Sequence, residues 1–197
     1  MKICEIFRSV QGEGLRMGMP AVFIRTAGCP LRCSFCDTTY SFDVNVPDMS
    51  APEVVAAVKK VAEGCSNIVI TGGEPCVQPD LANVARTLQQ NGFAVALETS
   101  GAFEVDTDAF DWITVSPKPV VKYKVAIPWQ SVSEFKYVVT TDFDFNVIPA
   151  LYRSRSCVWL QPDGNHVEEA VAHIMQNLKR VPGCRVGVQL HKVYNFR

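Results

Sequence analysis

Residues 20–38 read PAVFIRTAGCPLRCSFCDT. The first seven, Pro20 to Thr26, are mostly apolar and read as a buried strand. The loop that follows carries Cys29, Cys33 and Cys36 in the order C-x3-C-x2-C. Gly28 and Pro30 suit a tight loop. Thiolates are soft ligands that suit zinc or iron–sulfur clusters. A closed structural zinc site takes four protein ligands, yet no histidine or cysteine stands close after Cys36. From the residues alone three readings stay open. The thiols could pack as small apolar groups. They could hold zinc with a remote fourth ligand such as Cys65, Cys76 or His191. Or they could grip three corners of a cubane cluster and leave one iron open to a ligand. Three thiols this close together, beside Arg32, Ser34 and Asp37, argue against ordinary core packing.

The surrounding chain narrows the setting. It has 197 residues, 48% of them apolar, and a formal net charge of −1. That length suits one domain, 1–197, with a sizeable core. A near-neutral chain without basic runs lacks the surface that a nucleic-acid backbone selects. The start, MKICEIFRSV, has no signal-like apolar core, and the apolar runs are too short to span a bilayer. A cytoplasmic protein with reduced thiols is expected, binding neither nucleic acid nor membrane. Of the eight cysteines, the remaining five (Cys4, Cys65, Cys76, Cys157 and Cys184) read as core thiols.

Periodicity gives an α/β pattern. After the first strand, SAPEVVAAVKKVAEG starts a helix, with Ser50 and Glu53 as a capping box, Pro52 in the first turn and Gly64 as the stop. NIVIT is the next strand. A helix over PDLANVARTLQQNG turns Leu81, Val84, Ala85 and Leu88 inward. FAVALET, DWITVS, EFKYVVT and CVWLQP are further strands, with a weak helix at Phe143–Leu151 between the last two. HVEEAVAHIMQNLKR is a strong helix, with Val167, Ala170, Val171, Ile174 and Leu178 on one face, and CRVGVQL is the last strand. Seven strands with three long helices predict a mainly parallel sheet covered by helices: an incomplete, reduced (β/α)6-type barrel, open on one side. The functional site of such a fold lies at the C-terminal ends of its strands. The polar motifs TGGEP, ETSG, SPK and QPDG each follow a predicted strand there.

The C-x3-C-x2-C loop after the first strand, with Phe35 before the last cysteine and TGGEP after the second strand, resembles the radical S-adenosylmethionine superfamily. The resemblance implies a 4Fe–4S cluster held by Cys29, Cys33 and Cys36, with S-adenosylmethionine chelating the open iron. It implies that Glu74 accepts from the methionyl ammonium. Taken with EIFRSVQGEG at the start, CDTTYSF, SPK and QLHKVYNFR at the end, the whole chain is similar to the 7-carboxy-7-deazaguanine synthase family of deazapurine (queuosine) biosynthesis. A protein lacking catalysis and holding zinc, or an activase forming glycyl radicals on a partner, would have no use for the QGEG start together with these later motifs.

That family resemblance implies a carbon–nitrogen lyase that contracts the ring of 6-carboxy-5,6,7,8-tetrahydropterin, with loss of ammonia and regeneration of S-adenosylmethionine. The cofactor radical carries the chemistry, so no side chain is expected to be catalytic. Val10, Gln11, Gly12, Glu13, Arg25, Thr71 and the carboxylate of Arg197 would bind the pterin. Gly73, Glu74, Ser100, Ser116, Pro117, Lys118, Gln161, Pro162, Asp163 and Gly164 would hold S-adenosylmethionine. Thr38 would bind Mg²⁺. His191 stays outside the catalytic set, since a lone histidine is usually structural. A homodimer and an electron donor such as flavodoxin or ferredoxin are expected.

Overall fold

The computed structural model describes residues 1–197, apart from the side chain of Arg155. One eight-stranded sheet runs in simple chain order: β1 Ile3–Val10, β2 Pro20–Thr26, β3 Asn67–Gly72, β4 Ala94–Thr99, β5 Trp112–Val115, β6 Glu134–Val139, β7 Cys157–Pro162 and β8 Arg185–Val186. From β2 onward every neighbouring pair is parallel. The sheet is an open, partial barrel, as the pattern of strands and helices predicts.

Strand β1 is an addition to the sequence reading. It pairs antiparallel with β2, Ile3 opposite Thr26 and Val10 opposite Pro20. Its residues ICEIFRSV mix charged and apolar side chains, which hides the strand from a search for apolar runs. The antiparallel course places the QGEG motif away from the C-terminal strand ends that carry TGGEP, ETSG, SPK and QPDG. Val10 lies beside the first residue of β2, so the QGEG loop enters from the amino end of the parallel strands.

Helix α1 (Ala51–Ala62) begins where the capping box predicts. The amide and hydroxyl of Ser50 both donate to Glu53, at 2.7 and 2.6 Å. Helix α2 (Leu81–Gln90) buries Leu81, Val84, Ala85 and Leu88. The weak helix at 143–151 is corrected: Pro149 precedes a shorter helix α3 at Ala150–Arg155, with a 3₁₀ turn at Phe145–Val147 before it. Proline has no amide to continue an upstream helix, but it suits a helix start. Helix α4 (Val167–Asn177) buries Ala170 and Ile174, while Val167 is exposed. The predicted last strand shrinks to the two residues of β8, and a short helix α5 (Leu190–Tyr194) follows.

Alternation along the strands splits the side chains between two faces. In β2, Val22 and Ile24 join the helix-covered core, whereas Ala21 and Phe23 pack on the concave face. The same alternation sends Arg25, Thr71, Glu98, Thr114 and Lys136 to the concave side, where they line one cavity. The helix-facing layer is almost wholly apolar, which leaves the polar residues of the strands for the interior of the barrel.

Candidate active site

A cavity of about 500 Å³ fills the concave face. Twenty of the residues singled out from the sequence line it: Val10, Gln11, Gly12, Glu13, Arg25, Cys29, Cys33, Cys36, Thr38, Thr71, Gly73, Glu74, Ser100, Ser116, Lys118, Gln161, Pro162, Asp163, Gly164 and Arg197. Pro117 is the exception; it is buried and lies outside the wall.

The three cysteines are free and half-buried. Their loop is held by main-chain bonds to the GGEP turn: Gly73 N donates to Thr26 O and Glu74 N to Gly28 O, each at 2.9 Å. Gly73 lies so close that a Cβ there would fall 2.2 Å from Gly28 O and 3.2 Å from Cys29 Cβ. The glycine is a requirement of this contact. Burial pushes the Cys33 thiol up, opposed by the Lys118 ammonium. Lys118 donates to Ser116 Oγ at 2.7 Å and lies 5.9 Å from the centre of the Phe35 ring. Burial and then Lys136 push its own pKa down. Three soft donors on one loop, with a cation at their side, fit an iron–sulfur cluster as a donor set. Among the described residues no three His, Cys, Asp or Glu side chains gather as a single metal ion would require.

Glu74 is 1% exposed, and protein groups already occupy both its oxygens. One accepts from Cys76 N at 3.1 Å and Thr99 Oγ1 at 2.6 Å; the other accepts from Ser100 N at 2.9 Å and from Ser100 Oγ. A carboxylate offers about four lone-pair sites. An incoming ammonium would therefore have to share them, and Glu74 also fixes the end of β4.

At the opposite wall, Glu13 pairs with Lys136 and accepts from Gln189 Nε2 at 2.7 Å. Burial alone would raise the Glu13 carboxyl, but Lys136 and Gln189 outweigh it and hold its pKa below the usual range. Burial would lower the Lys136 ammonium, but Glu13, Glu98 and Glu134 together raise it. Glu98 accepts from Gln11 Nε2 at 2.8 Å and from Thr71 Oγ1 at 3.3 Å.

A third group sits on β1 and β2. Arg25 Nε donates to Glu5 at 2.7 Å, and so does the Tyr40 hydroxyl. The Arg197 guanidinium reaches the other Glu5 oxygen, and the Arg197 main-chain oxygen accepts from Ser9 Oγ. Phe7 stacks on Phe23 with centroids 5.3 Å apart. Burial and the Glu5 carboxylate push the Tyr40 hydroxyl up to about 12. Thr38 donates to Asp37 at 3.0 Å, which leaves its oxygen lone pairs for another partner.

Glu5, Phe7, Phe23, Tyr40, Glu98, Lys136, Gln189 and Lys192 also line the cavity and lie outside the sequence-based set. For Glu98 and Lys136 a signal existed. A charged residue at an inward position of an apolar strand must face a polar interior or a partner. His191 lines the cavity as well, packed against Gly12.

This arrangement matches known proteins. Residues 23–111, from β2 to just before β5, match the model of the Radical SAM superfamily. It is 43% identical to a 7-carboxy-7-deazaguanine synthase of Pyrobaculum aerophilum, over 97% of this chain and 93% of the relative. It is 36% identical to the synthase of Bacteroides thetaiotaomicron, over 100% and 98%. The chain belongs to the 7-carboxy-7-deazaguanine synthase family. The solved structure of QueE from Escherichia coli superposes with a TM-score of 0.73 at 28% identity, covering 95% of this chain and 92% of that one.

Proposed function

We propose that this enzyme converts 6-carboxy-5,6,7,8-tetrahydropterin to 7-carboxy-7-deazaguanine with release of ammonia, and uses S-adenosylmethionine catalytically. It is then a carbon–nitrogen lyase of queuosine and deazapurine synthesis. The observation that carries the reading is convergence: the cysteine loop, the GGEP, SPK and QPDG turns and the QGEG loop all line one cavity.

Cys29, Cys33 and Cys36 would hold a 4Fe–4S cluster, which with S-adenosylmethionine supplies a hydrogen-abstracting adenosyl radical. Gly73, Ser100 and the turns at Ser116–Lys118 and Gln161–Gly164 would seat S-adenosylmethionine beside it. Pro117 would act by shaping its turn from behind the wall.

The pterin would lie between β1 and β4. Glu13, held ionised by Lys136, is an acceptor for the N–H donors of its pyrimidine edge. Val10, Gln11, Gly12 and Thr71 frame it. Arg25 offers a fork suited to the substrate carboxylate, once it shares its hold on Glu5. Thr38 would give one oxygen to Mg²⁺, an ion that binds through few protein oxygens and keeps several waters. The Arg197 terminus lies at the same wall, near Ser9. The stacked Phe7 and Phe23 give the cavity an apolar side that limits water around a reactive intermediate. Flavodoxin or ferredoxin is the proposed reductant, and a cytoplasmic homodimer the proposed state.

The test is anaerobic incubation of the iron–sulfur-reconstituted protein with the pterin, S-adenosylmethionine, Mg²⁺ and reductant. Formation of 7-carboxy-7-deazaguanine and ammonia in equal amounts, without net loss of S-adenosylmethionine, is expected. Consumption of S-adenosylmethionine to deoxyadenosine with no deazaguanine would overturn the proposal.

A further inference from the structure

The Gln11–Met19 loop reaches the cavity from the amino end of the barrel, far along the sequence from anything that could fix it there. Its own bonds close it only locally: Gln11 N donates to Met19 O and Gly18 N to Gln11 O, both at 2.8 Å. Side chains of the barrel meet its side chains, Glu98 at Gln11, Lys136 at Glu13 and Asn67 at Arg16, and among the described residues one of them, Glu134, grips its main chain. Glu134, the first residue of β6, is 3% exposed and does not line the cavity. One of its oxygens accepts from Leu15 N and from Trp159 Nε1, both at 2.8 Å; the other accepts from Thr114 Oγ1 at 2.9 Å. Gly14 lies flat against this carboxylate. It has φ +71°, and a Cβ there would fall 2.3 Å from Glu134 Oε1. The second glycine of QGEG therefore answers to a buried acid 120 residues away, not to the substrate.

We propose that Glu134 is a positioning residue for substrate recognition: by holding the Gly14–Leu15 turn it sets where Gln11 and Glu13 stand in the cavity. Two links make the coupling short. Glu13 is next to Gly14 in the chain, and its carboxylate is paired with Lys136, two residues beyond Glu134 on the same strand. Tilting the turn moves Glu13 off Lys136 and Gln11 off Glu98. The cysteine loop and the GGEP turn lie at the other end of the strands and share none of these bonds.

This inference rests on the reading that Gln11 and Glu13 contact the pterin. Glu134→Ala leaves Leu15 N–H and Trp159 N–H without their acceptor. Its KM for the pterin should rise about ten- to hundred-fold, as a misplacement of about 1 Å would produce. Its KM for S-adenosylmethionine, its iron content and its cluster absorbance should not change. Amide exchange in peptides covering 11–19 should quicken while the β2–β4 peptides stay protected. Glu134→Gln keeps an acceptor oxygen for both N–H groups and can donate to the Thr114 hydroxyl, so it should restore most of the pterin KM. Gly14→Ala breaks the same contact from the loop side and leaves the barrel core whole; it should behave like Glu134→Ala even where that variant folds poorly. Unchanged pterin KM in Gly14→Ala and Glu134→Ala, or an equal loss of pterin and S-adenosylmethionine binding, overturns the proposal. Glu13→Gln separates the two layers. If it raises the pterin KM and the Glu134 variants do not, the positioning role falls alone. If Glu13→Gln also has no effect, the substrate reading of the loop falls first.

Discussion

Lys192 Nζ stands 2.8 Å from Asp37 Oδ2, so the last helix of the chain is tied to the loop that carries the three cysteines. The same segment binds the QGEG loop through Leu190 N to Gly12 O at 3.0 Å and Gln189 to Glu13. Residues 189–197 thus strap the two halves of the cavity together.

The strap should loosen when that tie is cut. Asp37 and Lys192 are 44% and 34% exposed, so the pair contributes only about 0–1 kcal/mol. Asp37→Asn and Lys192→Met should each leave global stability nearly unchanged. Both should speed amide exchange in peptides covering 189–197. Unaltered exchange in both variants would show that the main-chain contacts alone hold the strap.

Gly73→Ala should separate cluster binding from folding. The new methyl would sit 2.2 Å from Gly28 O, a backbone atom that cannot swing away. The cysteine loop must shift, and its three thiols with it. We expect at least half of the iron per chain to be lost after reconstitution, with far-UV circular dichroism unchanged. Full iron loading would mean that the loop adapts.

How far the sequence shows this site depends on the distance over which each residue acts. The cysteine loop, the GGEP turn and the first two helices are local features, written in spacing, caps and glycines. Strand β1 was hidden because its cavity-facing Glu5 and its exposed Arg8 interrupt the apolar run. The end of the chain misled for a related reason. CRVGVQL has strand composition, but Arg185 and Val186 pair only with the edge of β7. Beyond them Gly187 crosses over Gln161, and Leu190 is drawn to Gly12. The second contact spans 178 residues, and neither leaves a periodic trace. Lys136 and Glu134 are a middle case: charges in an apolar strand signal an interior partner without naming it.

The Glu13–Lys136 pair should dominate the pH behaviour of the cavity wall. Glu13 has a folded pKa below its unfolded value of about 4.3, so its contribution is complete above that value and is lost as pH falls through the folded pKa. Lys136 has a folded pKa above about 10.4; its contribution is complete below that and is lost as pH rises through the folded value. The pair therefore keeps full strength between roughly pH 5 and pH 10. Lys136→Met leaves a buried carboxylate without its cation, a loss of about 3–5 kcal/mol at neutral pH. Glu13 then gains a proton more readily in the folded state, and the deficit should shrink as pH falls toward 5. Adding Glu13→Gln to Lys136→Met should recover much of the stability. Urea unfolding at pH 5, 7 and 9 measures this; a deficit independent of pH would assign the loss to packing.

Cys76 should be the least reactive thiol near the cavity. Burial and then the Glu74 carboxylate push it up to about 12, despite a hydrogen bond with Thr99 Oγ1 at 3.3 Å. The thiolate is the attacking form. At pH 8 an ordinary thiol, with pKa near 8.5, is about a quarter ionised, whereas a thiol near 12 is ionised to about one part in ten thousand. Alkylation of the metal-free protein by iodoacetamide at pH 8 should spare Cys76 after the exposed sites are labelled. Glu74→Gln removes the second cause but turns an amide NH2 toward one of the two donor pairs, so labelling of Cys76 should accelerate, with far-UV circular dichroism checking that the protein remains folded. Rapid labelling of Cys76 in the unaltered protein would mean that Glu74 and Thr99 do not hold it as described. The Glu74 cage over β4 would then be open to a ligand ammonium from the start.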